Sequence, residues 1–165
     1  MPQSLDEVDI ALLNELQADA DRPNVELARI VGLSPAATLN RVRRLKESGV
    51  IRHITARLDS DAAGFPLQVY VTITLARHEA AANRRFEEAV RDMPQVIAAD
   101  WVTGEVDAML LVVARDVADL QRVLIRMSTR GATRIVTLLR LEELKAASPL
   151  PLQPTTARGR RASAG

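Results

Sequence analysis

The chain contains no cysteine among its 165 residues. A disulfide framework, a thiolate metal site and a cysteine nucleophile are therefore excluded, and the composition suits a reducing compartment. Histidine is nearly as scarce: His53 and His78 are the only two, which is too few for a metal cluster without cysteine. We interpret both as ordinary polar residues and expect no metal, no cofactor and no catalytic residue.

Long apolar runs and aromatic residues are also few. The longest uninterrupted apolar run, Ala108–Ala114, is far shorter than the roughly 20 residues of a membrane span, and the N-terminus lacks a basic, apolar signal sequence. No aromatic residue precedes Phe65, which argues against recognition of single-stranded nucleic acid by base stacking. We expect a cytoplasmic protein with no membrane partner.

Charge is balanced over the whole chain but not along it, and the formal net charge is +1. Residues 1–28 carry seven acids and a single base, whereas residues 29–58 carry seven bases and a single acid. A small domain with one basic edge is the charge distribution expected of a nucleic-acid-binding protein. A solvated charged face that binds nothing is the alternative.

Helical periodicity begins close to the N-terminus. Ser4 and Glu7 have the spacing of a capping box, which predicts a first helix from about Asp6 to Asp19. Apolar residues recur on one face of this helix: Ile10, Leu13 and Leu16.

Two further helices are predicted in close succession. Asn24 is expected to cap a short second helix that ends at Gly32, a residue suited to the left-handed conformation. Ser34 and Pro35 then have the features of an N-cap and a first helical position. Two helices joined by so tight a turn predict a helix-turn-helix, whose second member enters the DNA major groove.

The third helix is assigned faces at 100° per residue. Its predicted buried stripe is Leu39, Val42 and Leu45. The opposite face is centred on Asn40 and Arg44, which have the side chains that pair with adenine and guanine respectively. The candidate DNA-binding residues are Ser34, Ala36, Ala37, Asn40, Arg41, Arg43, Arg44, Lys46 and Arg52. A surface helix of good helix formers is the alternative.

The segment after Gly49 has β-type residues and predicts a wing and an exit strand over Val50–Leu58. Arg52 and His53 are placed beside the DNA backbone in this interpretation. The predicted N-terminal domain is therefore a winged helix-turn-helix, and double-stranded DNA is its expected partner.

Patterning becomes strand-rich after a predicted linker, Ala62–Pro66. The predicted elements are strands at Leu67–Ala76, Val96–Trp101, Asp107–Ala114 and Ile135–Leu141, a helix with Phe86, Ala89, Val90 and Met93 on one face, and a second helix with Val117, Leu120, Leu124 and Met127 on one face. The order is the ferredoxin-like βαββαβ motif, so the predicted class is α+β. Because Ala108–Ala114 is apolar on both faces, a second copy is expected to cover the sheet in a homodimer.

The predicted domains are 1–61 for DNA binding with the exit strand, 62–66 for the linker, 67–145 for the ferredoxin-like domain and 146–165 for a disordered tail with a basic end.

Three segments carry a family resemblance: Leu5–Gln17, Asn24–Pro35 and Arg41–Ile51. They resemble the leucine-responsive/asparagine-regulator (Lrp/AsnC) family of prokaryotic transcriptional regulators, and the similarity continues to about Lys145. The resemblance implies a second domain that senses a small molecule, such as an amino acid, and dimerises sheet to sheet. It also implies that dimers assemble into higher oligomers.

The loop Val102–Asp107 resembles the family's effector loop. Glycine there lets backbone N–H groups approach a ligand carboxylate, and Glu105 or Asp107 has the charge to meet an ammonium group. The candidate effector-binding residues are Val102, Thr103, Gly104, Glu105, Asp107 and Thr137. Val106 stands where the family usually has an aromatic residue. A hairpin with solvated acids is the alternative.

The predicted function is sequence-specific transcriptional regulation in response to an amino acid or related metabolite. An effector-independent DNA-organising protein is an alternative that differs only at the loop. Relatives with the same two domains also include sirohaem decarboxylases. The arginines of this chain gather on the third helix and its candidate loop is acidic, so we expect no enzymatic activity.

Overall fold

The computed structural model describes residues 5–75 and 80–153. Contacts divide the chain into two compact units. The first extends to Ala56 and is joined by the described residues from Lys145 onward, and the second is Arg57–Leu144. None of the helices in the described ranges is both long and apolar enough to cross a membrane.

Three helices build the first unit: α1 (Glu7–Ala18), α2 (Asn24–Val31) and α3 (Pro35–Glu47). The predicted cap residue Ser4 lies outside the described residues, and the N-cap is Asp6. Asp6 forms a capping box with Asp9, whose backbone N–H donates to Asp6 Oδ1 at 2.7 Å. Aspartate is as good a cap as serine, and with Asp6 as the N-cap the side chain of Asp9 accepts from the Asp6 backbone N–H at 3.4 Å, which completes the box.

The turn between α2 and α3 forms as predicted, but the N-cap of α2 differs from the predicted one. Pro23, not Asn24, is the N-cap of α2. The Asn24 side chain instead donates to the backbone carbonyl of Pro35 at 2.8 Å, which ties α2 to the start of α3. Gly32 adopts the left-handed conformation with φ 68°, and the Ser34 hydroxyl accepts from the backbone N–H of Ala37 at 3.2 Å.

The buried face of α3 is rotated from the predicted one. Leu39 was expected in the core but is 48% exposed, whereas its neighbour Thr38 is fully buried. The hydroxyl of Thr38 donates to the carbonyl of Ser34 at 3.1 Å, so this polar side chain is satisfied by its own helix. Hydropathy alone favoured Leu39, but a threonine whose hydroxyl is bonded can be buried in its place.

The predicted exit strand is not formed. Residues 52–59 have no regular secondary structure, and most of their side chains are exposed. A strand needs a partner for its backbone N–H and C=O groups, and the described part of this chain pairs none with this segment. Leu150, inside the predicted tail, exchanges two hydrogen bonds with the side chain of Gln17. Residues 154–165 lie outside the described residues.

The second unit has the predicted ferredoxin-like order. Its elements are β1 (Leu67–Leu75), α4 (Ala80–Arg91), β2 (Val96–Trp101), β3 (Ala108–Ala114), α5 (Val117–Ser128) and β4 (Ala132–Leu139). The sheet order is β2-β3-β1-β4, and all three pairings are antiparallel. The alternation predicted for β1 is confirmed, since Val69, Val71, Ile73 and Leu75 are buried.

Both helices of this unit supply residues to one hydrophobic core with the sheet. Val117 was predicted to contact this core but is 72% exposed, and Val123 is buried instead. Val117 is the first residue of α5, directly after the N-cap Asp116, so it precedes the part of the helix that covers the sheet. Leu141 was assigned to the last strand, but that strand ends at Leu139, where the ladder with β1 ends at Val69.

The other face of the sheet is apolar and uncovered in the single chain. Tyr70 lies across from Leu111 on one side and Leu138 on the other, and Thr72 lies between Met109 and Val136. The side chains of Tyr70, Met109, Val136 and Leu138 are all exposed. We call the surface formed by these side chains the open face; its six residues are Tyr70, Thr72, Met109, Leu111, Val136 and Leu138.

Candidate nucleic-acid interface and effector loop

The position of α3 depends on a buried carboxylate from α1. Asp9 has a side chain only 2% exposed and lies next to two arginines of α3. Arg41 Nη1 donates to Asp9 Oδ1 at 2.9 Å, and Arg44 Nη2 donates to both carboxylate oxygens at 2.8 and 2.7 Å. A buried charge without partners is strongly unfavourable, so the two guanidinium groups are what permit Asp9 to be buried.

Asp6 extends this cluster to the protein surface. Arg41 Nη1 also donates to Asp6 Oδ2 at 2.6 Å. This hydrogen bond and one from the Asp9 backbone N–H hold the pKa of Asp6 below its ordinary value, and the same carboxylates raise the pKa of Arg41. Sequence reasoning missed Asp9 because its partners are 32 and 35 residues away. The one indication in the sequence was that Asp9 lies on the same side of α1 as apolar residues such as Leu13.

The solvent-facing side of α3 follows from this packing. The core contacts come from Thr38, Val42 and Leu45, and the point opposite them at 100° per residue lies near Ala36 and Asn40, with Arg43 and Arg44 about 50° to either side. The side chains of Ala36, Asn40 and Arg43 are exposed. Arg44, predicted at the centre of this face, lies on its flank and is held by Asp9.

The remaining candidate DNA-binding residues divide into two groups. The Ser34 hydroxyl and the Ala37 N–H bond to each other at the start of α3, so these residues act in helix initiation. In the part of the chain that the structure describes, Arg43, Lys46 and Arg52 form no ion pair. Their charges are exposed and available to a polyanion.

The candidate effector loop is closed by backbone hydrogen bonds. The Val102 N–H donates to the carbonyl of Asp107 at 3.0 Å, and the Asp107 N–H donates to the carbonyl of Ile73 at 2.9 Å. Gly104 has φ 124°, and open space surrounds the position a Cβ would take. Thr103, Gly104 and Glu105 are exposed, so the tip of the loop presents backbone groups and one carboxylate.

Two other predicted effector residues have different surroundings. The carboxylate of Asp107 accepts a hydrogen bond from the backbone N–H of Leu75 at 2.8 Å, which joins the loop to the end of β1. Thr137 lies on β4 across from Val71. Because β1 separates β4 from β3, the single chain does not bring Thr137 into the loop. Among the described residues, no three His, Asp or Glu side chains form a group suited to a metal ion.

Two family profiles match the chain. An AsnC-type helix-turn-helix domain matches residues 5–46, and a Lrp/AsnC ligand binding domain matches residues 68–150. The regulator AldR of Mycolicibacterium smegmatis is 35% identical over 90% of this chain and 88% of its own length. The leucine-responsive regulatory protein of Rhizobium meliloti is 37% identical over 86% of this chain and 92% of its own length.

A solved structure is similar over both units. It is a transcriptional regulator from Neisseria meningitidis in complex with L-Met, with a TM-score of 0.82 and 30% identity. The similarity covers 89% of this chain and 96% of that one.

Proposed function

Because the chain belongs to the Lrp/AsnC family of transcriptional regulators, we propose how its two units divide the work of regulation. The exposed side of α3 reads duplex DNA, the loop Val102–Asp107 binds an amino acid, and the open face joins two copies.

Base recognition is assigned to Asn40 and Arg43. They lie on the solvent-facing side of α3, beside the small side chain of Ala36, which permits close approach to base edges. Asparagine pairs with adenine and arginine with guanine in the major groove. The free donors of Arg41 and Arg44, together with Lys46 and Arg52, contact phosphates. The observation that carries this assignment is the Asp9 cluster, because it defines which side of α3 faces outward.

The loop is proposed to hold the backbone end of an amino acid. Exposed backbone N–H groups around Gly104 suit a carboxylate, and Glu105 suits an ammonium group. A structural relative that was crystallised with L-Met supports this class of ligand. Asp107 supports the loop through Leu75, so its role is to position the loop.

Self-association is proposed through the open face. Six neighbouring positions on three strands present mostly apolar surface, which monomeric proteins rarely leave uncovered. A two-fold axis lying in the plane of the interface would pack this face against its copy and bring Tyr70 and Leu138 of each copy into one apolar contact. A dimeric regulator would then present two copies of α3 to the two halves of a palindromic site.

Genome-wide mapping of binding sites, with and without candidate amino acids, tests the whole proposal. We expect a discrete set of duplex sites with a shared palindromic sequence, and a subset whose occupancy changes with one amino acid. Uniform binding without a shared sequence would contradict sequence-specific regulation. A shared sequence with no change for any amino acid would retain DNA recognition and remove the effector.

A further inference from the structure

A cavity of about 290 Å³ lies between α4 and the edge strand β2. Its floor includes Ala99 and Ala108, two small residues on the side of the sheet that faces the helices. Larger side chains at these positions would occupy the space beneath α4. The volume is at the lower end of the range for small-molecule sites, so it suits one compact ligand.

Aromatic side chains form the apolar wall of this cavity. The rings of Phe86 and Trp101 have centroids 6.0 Å apart and are tilted by 51°. The indole Nε1 donates to Glu87 Oε1 at 2.9 Å. Two contacts therefore hold the indole in position, yet Trp101 remains 45% exposed. A fixed aromatic ring with an open face is a ready surface for an apolar group.

Two charged side chains of α4, Arg91 and Glu87, lie beside the apolar wall, whereas Asp100 borders the cavity from a position across from Met109, on the open face. Within the described residues none of them forms an ion pair. A guanidinium group binds a carboxylate, and carboxylates bind an ammonium group. One positive and one negative group beside an apolar pocket are complementary to a zwitterion with an apolar side chain.

We propose that this Trp101 cavity binds an amino acid with an apolar side chain, at a site separate from the loop Val102–Asp107. The ligand's side chain contacts Trp101 and Phe86, its carboxylate meets Arg91, and its ammonium group meets Glu87. The proposal concerns ligand binding alone and requires neither DNA binding nor an occupied loop.

Trp101 provides the measurement because it is the single tryptophan of the chain. Full-length protein is titrated with L-leucine, L-methionine and L-phenylalanine while its tryptophan fluorescence is recorded. We expect a saturable change with at least one of them. Leucinamide, which lacks the carboxylate, and 4-methylpentanoate, which lacks the ammonium group, should bind at least tenfold more weakly than L-leucine if L-leucine binds. Equal binding of both truncated compounds would overturn the zwitterion assignment.

Four variants separate the cavity from the loop. Ala99→Leu fills the cavity at an exposed position, and Arg91→Gln removes its positive charge; each should weaken binding tenfold or more. Arg84→Gln removes an arginine from the same helix that does not line the cavity, and Gly104→Gln alters the loop; both should retain the fluorescence change.

Two results would overturn the proposal. One is the absence of a saturable change in the wild-type protein with all three amino acids. The other is loss of the change in Gly104→Gln with retention in Ala99→Leu and Arg91→Gln, which would assign the ligand to the loop. Neither result affects sequence-specific DNA binding, which is measured independently, so failure of the cavity is distinguishable from failure of the regulatory function.

Discussion

Arg44 donates from a single nitrogen, Nη2, to both carboxylate oxygens of Asp9, at 2.8 and 2.7 Å. This contact joins α3 to α1 across 35 positions of sequence. It leaves the Arg44 side chain 49% exposed, so the remaining donors of its guanidinium group can still meet a phosphate. A residue that binds a buried acid in its own domain is poorly placed to reorient for base recognition.

Replacement of Asp9 should destabilise the first unit. Asp9→Asn removes the charge that Arg41 and Arg44 bind, and we expect a loss of about 1.5 to 3 kcal/mol in the free energy of unfolding, as for hydrogen bonds to charged groups. Urea titration followed by circular dichroism measures it. Glu7→Gln, an exposed acid in the same helical turn, is the control and should cost below about 1 kcal/mol. Equal effects of the two variants would contradict a specific role for the cluster.

DNA binding should distinguish Arg43 from Lys46. Arg43→Ala should weaken binding to the specific site by about 1 to 3 kcal/mol and relax the preference at one base pair. Lys46→Ala should weaken all sequences alike and lower the slope of the salt dependence by about 1. Binding titrations over a series of salt concentrations, on specific and scrambled duplexes, provide the measurement. If Arg43→Ala lost no specificity while Arg44→Ala did, the solvent-facing side of α3 would be assigned wrongly.

Low pH should lower the free energy of unfolding of the second unit, because Asp119 becomes protonated. The Arg115 backbone N–H and the Arg122 guanidinium group donate to this carboxylate and lower its pKa from the ordinary 3.8. A lowered folded-state pKa contributes stability above the unfolded value, and this contribution is lost as the pH falls through the folded value. Asp119→Asn should therefore be less stable than wild type at neutral pH, with a difference that shrinks below about pH 4.

Urea titrations at several pH values, followed by Trp101 fluorescence, report on this unit. Glu142→Gln, an exposed acid with no ion pair within the described residues, is the control. A difference between Asp119→Asn and wild type that stayed constant with pH would show that the ionised carboxylate is not responsible.

The effector loop is tested by ligand-induced stabilisation. An amino acid that binds there should raise the free energy of unfolding by about 2.7 kcal/mol at a hundredfold excess over its Kd. Gly104→Gln should remove the part of this stabilisation that comes from the loop, because a side chain blocks the approach of a carboxylate to the backbone. Gly104→Ala is the matched control for the backbone strain at φ 124°. It should retain more of the ligand-induced stabilisation than Gly104→Gln does.

Glu105→Gln tests the ammonium contact in the same thermal-shift assay and should reduce the stabilisation. Asp107→Ala would reduce it too, but this variant also removes the acceptor of the Leu75 N–H. Stabilisation that persisted unchanged in Gly104→Gln would move the site away from the loop.

The open face predicts the assembly state. Leu138→Arg places a charge on that face, beside Tyr70, and the full chain should sediment as a smaller species than wild type because a buried unpaired charge opposes association. Ile125→Arg changes an exposed apolar residue of α5 and should leave the assembly unchanged. A wild-type protein that sediments as a folded monomer would remove the proposed interface.

Local signals in the sequence were enough to define the helix-turn-helix and the βαββαβ order. Gly32, Ser34 and Pro35 mark a helix end and a helix start through their own backbone preferences, and the alternation in β1 follows from the two-residue period of a strand. Such signals depend on neighbours in sequence, so they are readable without tertiary contacts.

The tertiary structure decided the features that depend on distant partners. Hydropathy placed Leu39 inside and Arg44 outward, but in the structure Thr38 is buried and Arg44 binds Asp9, which lies 35 residues earlier. The exit strand failed for the same reason, because a strand forms only where a second strand accepts its hydrogen bonds. The Trp101 cavity likewise exists only because α4 lies over Ala99 of β2 and Ala108 of β3, a juxtaposition that no period in the sequence encodes.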